Sequence, residues 1–381
     1  MIEPGATIGI LGGGQLGRMT AMAARSLGYD VHVLDPDPGC AAAPVASRVI
    51  VARFDDADAA AALARACDVV TLEIEQIGPA ALAAAAAHAP LRPSADAVYI
   101  IQDRLRQRQW LDQHGFPVGP FRAVSSREES VRAFDALGPC IFKSASGGYD
   151  GRGQVRVTTA DGAASAWDAL GGRPCLVEQF LAIDIELSVL IARRPPPHSL
   201  TRSGDAVVFP LSLNEHTAGI LDWSVLPAPA PSDIARDADA IARGIAEGLG
   251  IEGLIAVELF LLRDGRLLVN ELAPRPHNTF HSTERACETS QFEQLVRAVC
   301  DLPLGTTELL RPAAIANLLG DLWSDGVPRF AAALAVPSVR LHLYGKSGAR
   351  PGRKMGHLSA VAATGDEALR RVLDAREAMR R

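Results

Sequence analysis

The segment GLIAVELFLLRDGRLLVNELAPRPHN, residues 253–278, holds two apolar runs separated by Asp264-Gly265. Asp-Gly between apolar runs is a strong signal for a tight β-hairpin turn. The outgoing strand is predicted over Gly253 to Leu262 and the return strand over Arg266 to Glu271. With the turn at Asp264-Gly265, Glu258 lies across from a residue near 271, so Glu258 and Glu271 face one another with Asn270 beside them. Facing carboxylates on adjacent strands repel unless a cation lies between them. The flanks Ile255, Ala256, Val257, Leu259 and Phe260 point to a buried strand, where a lone carboxylate is costly. That favours a divalent ion, magnesium above all, because it takes oxygen ligands and arrives with substrate phosphates. The plainer alternative has one acid facing water and the other packed near an Arg. The two prolines of Leu272 to Asn278 stiffen a loop carrying Arg275, His277 and Asn278, a plausible anion-positioning segment; for His277 a purely structural, hydrogen-bonded role stays open.

A second glycine cluster, Gly147 to Gln154, has four glycines in eight residues and follows Lys143 at the end of a strand. Strand, glycine loop, strand differs from the strand–loop–helix of a P-loop. Such a loop can fold over triphosphate oxygens with its backbone N–H groups and a mobile Arg; a hairpin tip is the alternative. Near the end of the chain Lys346, Arg350, Arg353 and Lys354 surround Gly348 and Gly352, either a solvated basic loop or a grip on a phosphate monoester.

The first third alternates apolar strands (Thr7 to Leu11, Tyr29 to Leu34, Val69 to Leu72) with helical patterns (Gln15 to Leu27, Ala57 to Ala66), which implies parallel βαβ units covered on both faces. Gly12, Gly14 and Gly17 form GxGxxG between a strand and a helix, and Asp35 ends the next strand 18 residues after Gly17. That pattern suits a nicotinamide dinucleotide, another phosphorylated ligand at the helix N-terminus, or a tight structural turn. Further on, one charged helix is expected from Ala95 to His114, and antiparallel strands over Ile185 to Ala192 and Ala206 to Leu213 flank the proline-rich segment Arg193 to Ser203.

The chain has 381 residues, 48% apolar and 22% charged, enough for two or three domains. Its net charge of −6 argues against general nucleic-acid binding. No apolar run approaches the ~18–20 residues needed to span a bilayer, and the N-terminal MIEPGATIGILGGG reads as a first strand rather than a signal peptide. The six scattered cysteines read as small buried thiols in a reducing cytoplasm.

Taken together, Lys143 with GGYDGRGQ (147–154), Val177-Glu178-Gln179, Glu186, Glu258 and NELAPRPHN (270–278) resemble the ATP-grasp superfamily. Within it, and with GGGQLGRM (12–19) and RPGRKMGHL (350–358), the chain resembles the 5-(carboxyamino)imidazole ribonucleotide synthase family from about residue 8 to 358. The resemblance implies an α/β ATP-grasp fold in three domains: an N-terminal Rossmann-like (preATP-grasp) parallel sheet over residues 1–98, a central lid over 99–182, and a C-terminal α+β body with a small terminal subdomain over 183–381. It implies a ligase that uses ATP and magnesium, or manganese in its place, to carboxylate 5-aminoimidazole ribonucleotide with bicarbonate in purine biosynthesis. It also implies a cytoplasmic homodimer without nucleic-acid or membrane partners, and it sets the nicotinamide reading aside.

For the residues, the resemblance implies that Arg104, Lys143, the loop Gly148, Tyr149, Asp150, Gly151, Arg152, Gly153 and Gln154, the edge Glu178, Gln179, Phe180 and Leu181, then Glu186, His216, Asn270 and Glu271 surround ATP. Glu258 and Glu271 hold the metal. Tyr149, Asp150 and Arg152 face the acceptor and the reactive intermediate, and Arg275, His277 and Asn278 hold bicarbonate or carboxyphosphate. Lys346, Arg353 and Lys354 take the ribose 5-phosphate, helped by Gln15 and Leu16, with Glu75 facing the substrate. In Leu72 to Glu75, Leu and Ile stand where the family often has aromatics. The nearest alternatives are formate-dependent glycinamide ribonucleotide transformylase, another ATP-grasp ligase, and an NAD-dependent oxidoreductase.

Overall fold

The computed structural model describes residues 1–147, 153–194 and 205–380. Gly148 to Arg152 and most of the proline-rich segment therefore lie outside the described residues. Three sheets organise the rest.

The first is parallel and contains β1 (Thr7–Leu11), β2 (Asp30–Asp35), β3 (Arg48–Val51) and β4 (Val69–Leu72), in the order β3-β2-β1-β4. Its strands alternate between two cores, as the period of two requires. Ile8, Ile10, Val31 and Val33 pack with Ala21 and Ala24 of the helix Gln15–Ser26 and with Leu295, Val296 and Val299 of the helix Gln291–Val299. Leu11, Leu34 and Leu72 pack on the opposite side with Leu63 and Leu82. One face of this sheet is thus fastened to the rest of the molecule.

The second sheet is antiparallel: β5 (Phe121–Val124), β6 (Cys140–Ser144), β7 (Gln154–Val157) and β8 (Cys175–Gln179), ordered β5-β8-β6-β7. Phe142 and Val177 bury against Ala133 and Ala166 of its two helices. The alternate residues Ile141, Lys143, Gln154 and Glu178 face a large cavity.

The third sheet has nine strands: β9 (Ile183–Arg193), β10 (Ala206–Val208), β11 (Ser212–Thr217), β12 (Ile220–Leu226), β13 (Gly253–Leu262), β14 (Leu267–Ala273), β15 (Ala313–Leu319), β16 (Val339–Leu343) and β17 (Lys354–Val361). The order is β14-β13-β9-β11-β12-β15-β17-β16, with β10 on the far end of β9. β14, which carries Asn270 and Glu271, is an edge strand.

Two expectations are corrected. The helix foreseen over Ala95 to His114 is two helices, Ala95–Ile101 and Arg104–Gln113. Asp103 breaks it by acting as N-cap of the second, its carboxylate accepting from the N–H groups of Leu105 (3.0 Å) and Arg106 (2.9 Å). The strand foreseen over Ala206 to Leu213 divides at Pro210, which has no N–H to give to a ladder: β10 pairs with Ile191 to Arg193 and β11 with Glu186 to Ser188. All six cysteines are free; five are buried and Cys67 is half-buried. Among the described residues no helix is long and apolar enough to cross a membrane.

Candidate active site

A cavity of about 1130 Å³ is walled by all three sheets. Every residue to which the resemblance assigned a site role and which the structure describes lines it, Gly153 excepted. Tyr149, Asp150, Gly148, Gly151 and Arg152 fall outside the described residues.

The hairpin sits at its base. Gly265 takes a positive φ of 87° at the turn, and Glu258 lies directly opposite Glu271. A bulge between Glu258 and Leu259 slips the register, since Leu259 pairs with Val269, and leaves Asn270 as the extra residue. Without that bulge Glu258 would face Asn270. With it, Asn270 donates to Glu258 at 3.2 Å while the two carboxylates share one face. Burial and the charge of Glu271 push the Glu258 carboxyl up to about 7. A cation between the two acids removes both penalties, so the donor set fits a hard divalent ion.

The stiff loop that follows brings its polar side chains to the same wall. His277 Nε2 is 3.3 Å from a Glu258 oxygen, and its Nδ1 is 2.8 Å from the Thr279 hydroxyl. Burial, then Arg275 and Lys354, hold this imidazole well below its ordinary pKa, so it is neutral at pH 7. When Glu258 is ionised, the neutral ring carries its proton on Nε2 and accepts the Thr279 proton at Nδ1. Arg275 pairs with Glu75 at 2.7 Å. Asn278 is 8% exposed, yet neither amide atom has a partner. An orphaned buried amide in a cavity wall is the mark of a ligand position.

On the opposite wall Lys143 Nζ is 2.5 Å from Glu178, and Arg108 binds the other oxygen of the same carboxylate. Burial raises the Glu178 pKa, but Lys143 and Arg108 outweigh it and hold the group below the usual carboxylate range. Arg104 donates to the Ser144 carbonyl at 3.0 Å. His216 lies 2.6 Å from Glu186; burial lowers its pKa, but Glu186 and Glu258 bring it above the ordinary value. At the far end Lys346 donates to Gln15 at 2.6 Å, and Arg353 is tied to the carbonyls of Ser347 and Gly348.

The N-terminal glycine loop is a tight structural turn. Gly14 and Gly17 donate their N–H groups to the Glu73 carboxylate at 2.9 and 3.2 Å, and Gly13 donates to Asp35 at 2.8 Å. A Cβ on Gly14 would stand 2.5 Å from Glu73 Oε1, and one on Gly17 would stand 2.6 Å from the Gly12 carbonyl. The chain's own acid thus fills the place where a dinucleotide pyrophosphate would lie, and Asp35 is already engaged.

Sequence reasoning passed over two residues of this site, Glu73 and Arg108. Arg108 had a legible signal: it is one helical turn from Arg104 and so on the same face. Glu73 had none, because its partners are N–H groups 56 and 59 residues away.

An antiparallel four-stranded sheet facing a hairpin with opposed carboxylates, with a basic end in the same cavity, is the arrangement of an ATP-grasp enzyme. Family models agree: a ribonucleotide synthetase preATP-grasp domain matches residues 5–102, an ATP-grasp domain 109–292, and a phosphoribosylaminoimidazole carboxylase C-terminal domain 313–371. The chain is 43% identical to N5-carboxyaminoimidazole ribonucleotide synthase of Brucella melitensis over 94% of its own length and 97% of the relative's. It superposes on the ADP complex of N5-carboxyaminoimidazole synthetase from Staphylococcus aureus with a TM-score of 0.90, at 34% identity and 98% coverage of each chain. The Aspergillus clavatus synthase bound to ADP and 5-aminoimidazole ribonucleotide gives 0.88 at 30% identity, again covering 98% of each. The chain belongs to the N5-carboxyaminoimidazole ribonucleotide synthase family, the ATP-dependent ligases of purine biosynthesis.

Proposed function

We propose that the chain carboxylates the amine of 5-aminoimidazole ribonucleotide with bicarbonate at the expense of ATP, giving 5-(carboxyamino)imidazole ribonucleotide, ADP and phosphate. The supporting observation is that one cavity holds the opposed Glu258 and Glu271 together with the basic set Lys346, Arg353 and Lys354. In the same cavity His277 reaches Glu258, and Arg275 reaches Glu75 on the segment that follows β4. We assign residues 1–98, 99–182 and 183–381 as the three functional parts, in a cytoplasmic homodimer.

Bicarbonate is a weak electrophile and must be activated. One of its oxygens attacks the γ-phosphorus, the bond to the ADP oxygen breaks, and carboxyphosphate forms. The substrate amine attacks its carboxyl carbon, or CO2 released from it; the amine loses a proton and phosphate leaves. Lys143 and the glycine loop 147–154 neutralise and cover the triphosphate, Glu186 takes the ribose hydroxyls, and the edge Glu178 to Leu181 reads adenine. Arg275, neutral His277 and the unsatisfied amide of Asn278 hold the bicarbonate-derived anion. Lys346, Arg353, Lys354 and Gln15 hold the substrate phosphate. Glu258 and Glu271, with Asn270, would hold magnesium or manganese, whose charge neutralises the phosphates. The protein's contribution is positional and electrostatic.

Pure protein with ATP, magnesium and ¹⁴C-bicarbonate tests this. 5-Aminoimidazole ribonucleotide should stimulate phosphate release and carry label into an acid-labile carbamate. Stimulation by formate with glycinamide ribonucleotide instead would overturn it.

A further inference from the structure

Arg108 is 4% exposed, and its guanidinium is the meeting point of three elements. It stands on the helix Arg104–Gln113, binds Glu178 of β8, and donates to the carbonyls of Val269 (2.7 Å) and Asn270 (2.8 Å) on β14. Those carbonyls lie on an edge strand, immediately before Glu271. One residue earlier on the helix, Gln107 accepts from the Leu272 N–H at 3.0 Å, so side chains of this helix take the place of a further strand. Glu178 holds Lys143 with its second oxygen at 2.5 Å. A chain of contacts therefore runs from the metal-hairpin backbone through Arg108 and Glu178 to Lys143.

Lys143 cannot serve a triphosphate while it is shared with a buried carboxylate unless that carboxylate has another partner. A buried acid that loses its cation is strongly destabilised. Arg108 is fixed to two carbonyls while it keeps one Glu178 oxygen paired, which its several guanidinium donors allow and a point charge does not. We propose that Arg108 is a positioning residue that retains Glu178 when Lys143 moves to the nucleotide, which makes release of Lys143 cheap and couples the lid to the hairpin. This rests on the ATP-ligase reading above and adds a residue which that reading does not use.

The test is nucleotide binding, measured by calorimetry with ATP and magnesium, with circular dichroism as the check on folding. In R108M, Glu178 draws on Lys143, so ATP affinity should fall at least tenfold. Adding E178Q should restore it, because a neutral amide has no claim on Lys143: R108M/E178Q should bind ATP within about threefold of E178Q, a non-additivity expected only of coupled sites. A merely structural Arg108, propping β14, predicts no rescue. If R108M does not fold, R108K and R108K/E178Q give the same comparison in weaker form. Wild-type affinity in R108M, or failure of E178Q to rescue, overturns the proposal. A wild-type protein that binds no ATP overturns the ligase reading instead.

Discussion

Replacing Glu258 with Gln should move stability and ligand binding in opposite directions. Glu258 faces Glu271 across the hairpin with its side chain 19% exposed, and its pKa is pushed from 4.5 to about 7 by burial and by that neighbour. A folded-state pKa raised above the unfolded one means that the ionised form burdens the folded state. The burden is full above pH 7, shrinks as pH falls and is gone below about 4.5. A shift of that size corresponds to roughly 3 kcal/mol. Gln keeps an oxygen for the Asn270 amide and carries no charge. At pH 8 the ligand-free E258Q protein should therefore melt several degrees above wild type, and at pH 5 the difference should mostly vanish. Magnesium–ATP should do the reverse. Saturating ligand at about 100 times its Kd stabilises wild type by about 2.7 kcal/mol; E258Q should lose most of that, with turnover down ~10²–10³. Thermal melts at both pH values, with and without magnesium and ATP, read all of this. A ligand-free E258Q protein less stable than wild type at pH 8, or one stabilised normally by magnesium–ATP, would refute the reasoning that these acids repel one another and await a cation.

Lys143→Ala should cost ~10²–10³ in turnover with the fold intact, since Arg108 still partners Glu178; wild-type turnover would contradict the assignment. His277→Ala should uncouple ATP hydrolysis from carboxylation more than it weakens ATP binding, read as the ratio of phosphate released to label fixed. Gly17→Ala should destabilise the protein by about 1–3 kcal/mol in denaturant titration, because the new methyl meets the Gly12 carbonyl at 2.6 Å and backbone cannot step aside. Glu73→Gln should also destabilise, by about 1–3 kcal/mol, since an amide cannot accept from both Gly14 and Gly17 as a carboxylate does.

Local features carried far in this chain. Asp264-Gly265 between apolar runs announced the hairpin, and counting outward from it placed position 258 near 271, where the structure has it. Strand periodicity and glycine–proline punctuation marked β1, β4, β6 and β13 at their observed positions or nearly so. Where the pattern misled, a single side chain had intervened: Asp103 capped a new helix, and Pro210 broke a strand. β15, with the sequence AAIANLL, has no polar alternation to betray it, because all but its last residue are buried in the sheet interior.

Composition, periodicity and turn chemistry determined the elements, and spaced motifs determined which chemistry the chain could support. Folding alone decided the partners of the charged groups. The glycine loop that looks open to a phosphate is filled by Glu73 from beyond the next three strands, and Asp35 is spent on Gly13. Glu271 stands opposite Glu258 only through a one-residue bulge that leaves Asn270 as the extra residue. Arg108 meets Val269 and Asn270 more than 160 positions away. Hydrophobic pattern is local and survives in one dimension. Ion pairing in a buried cavity depends on which elements the tertiary packing brings within about 3 Å, and no spacing along the chain records that.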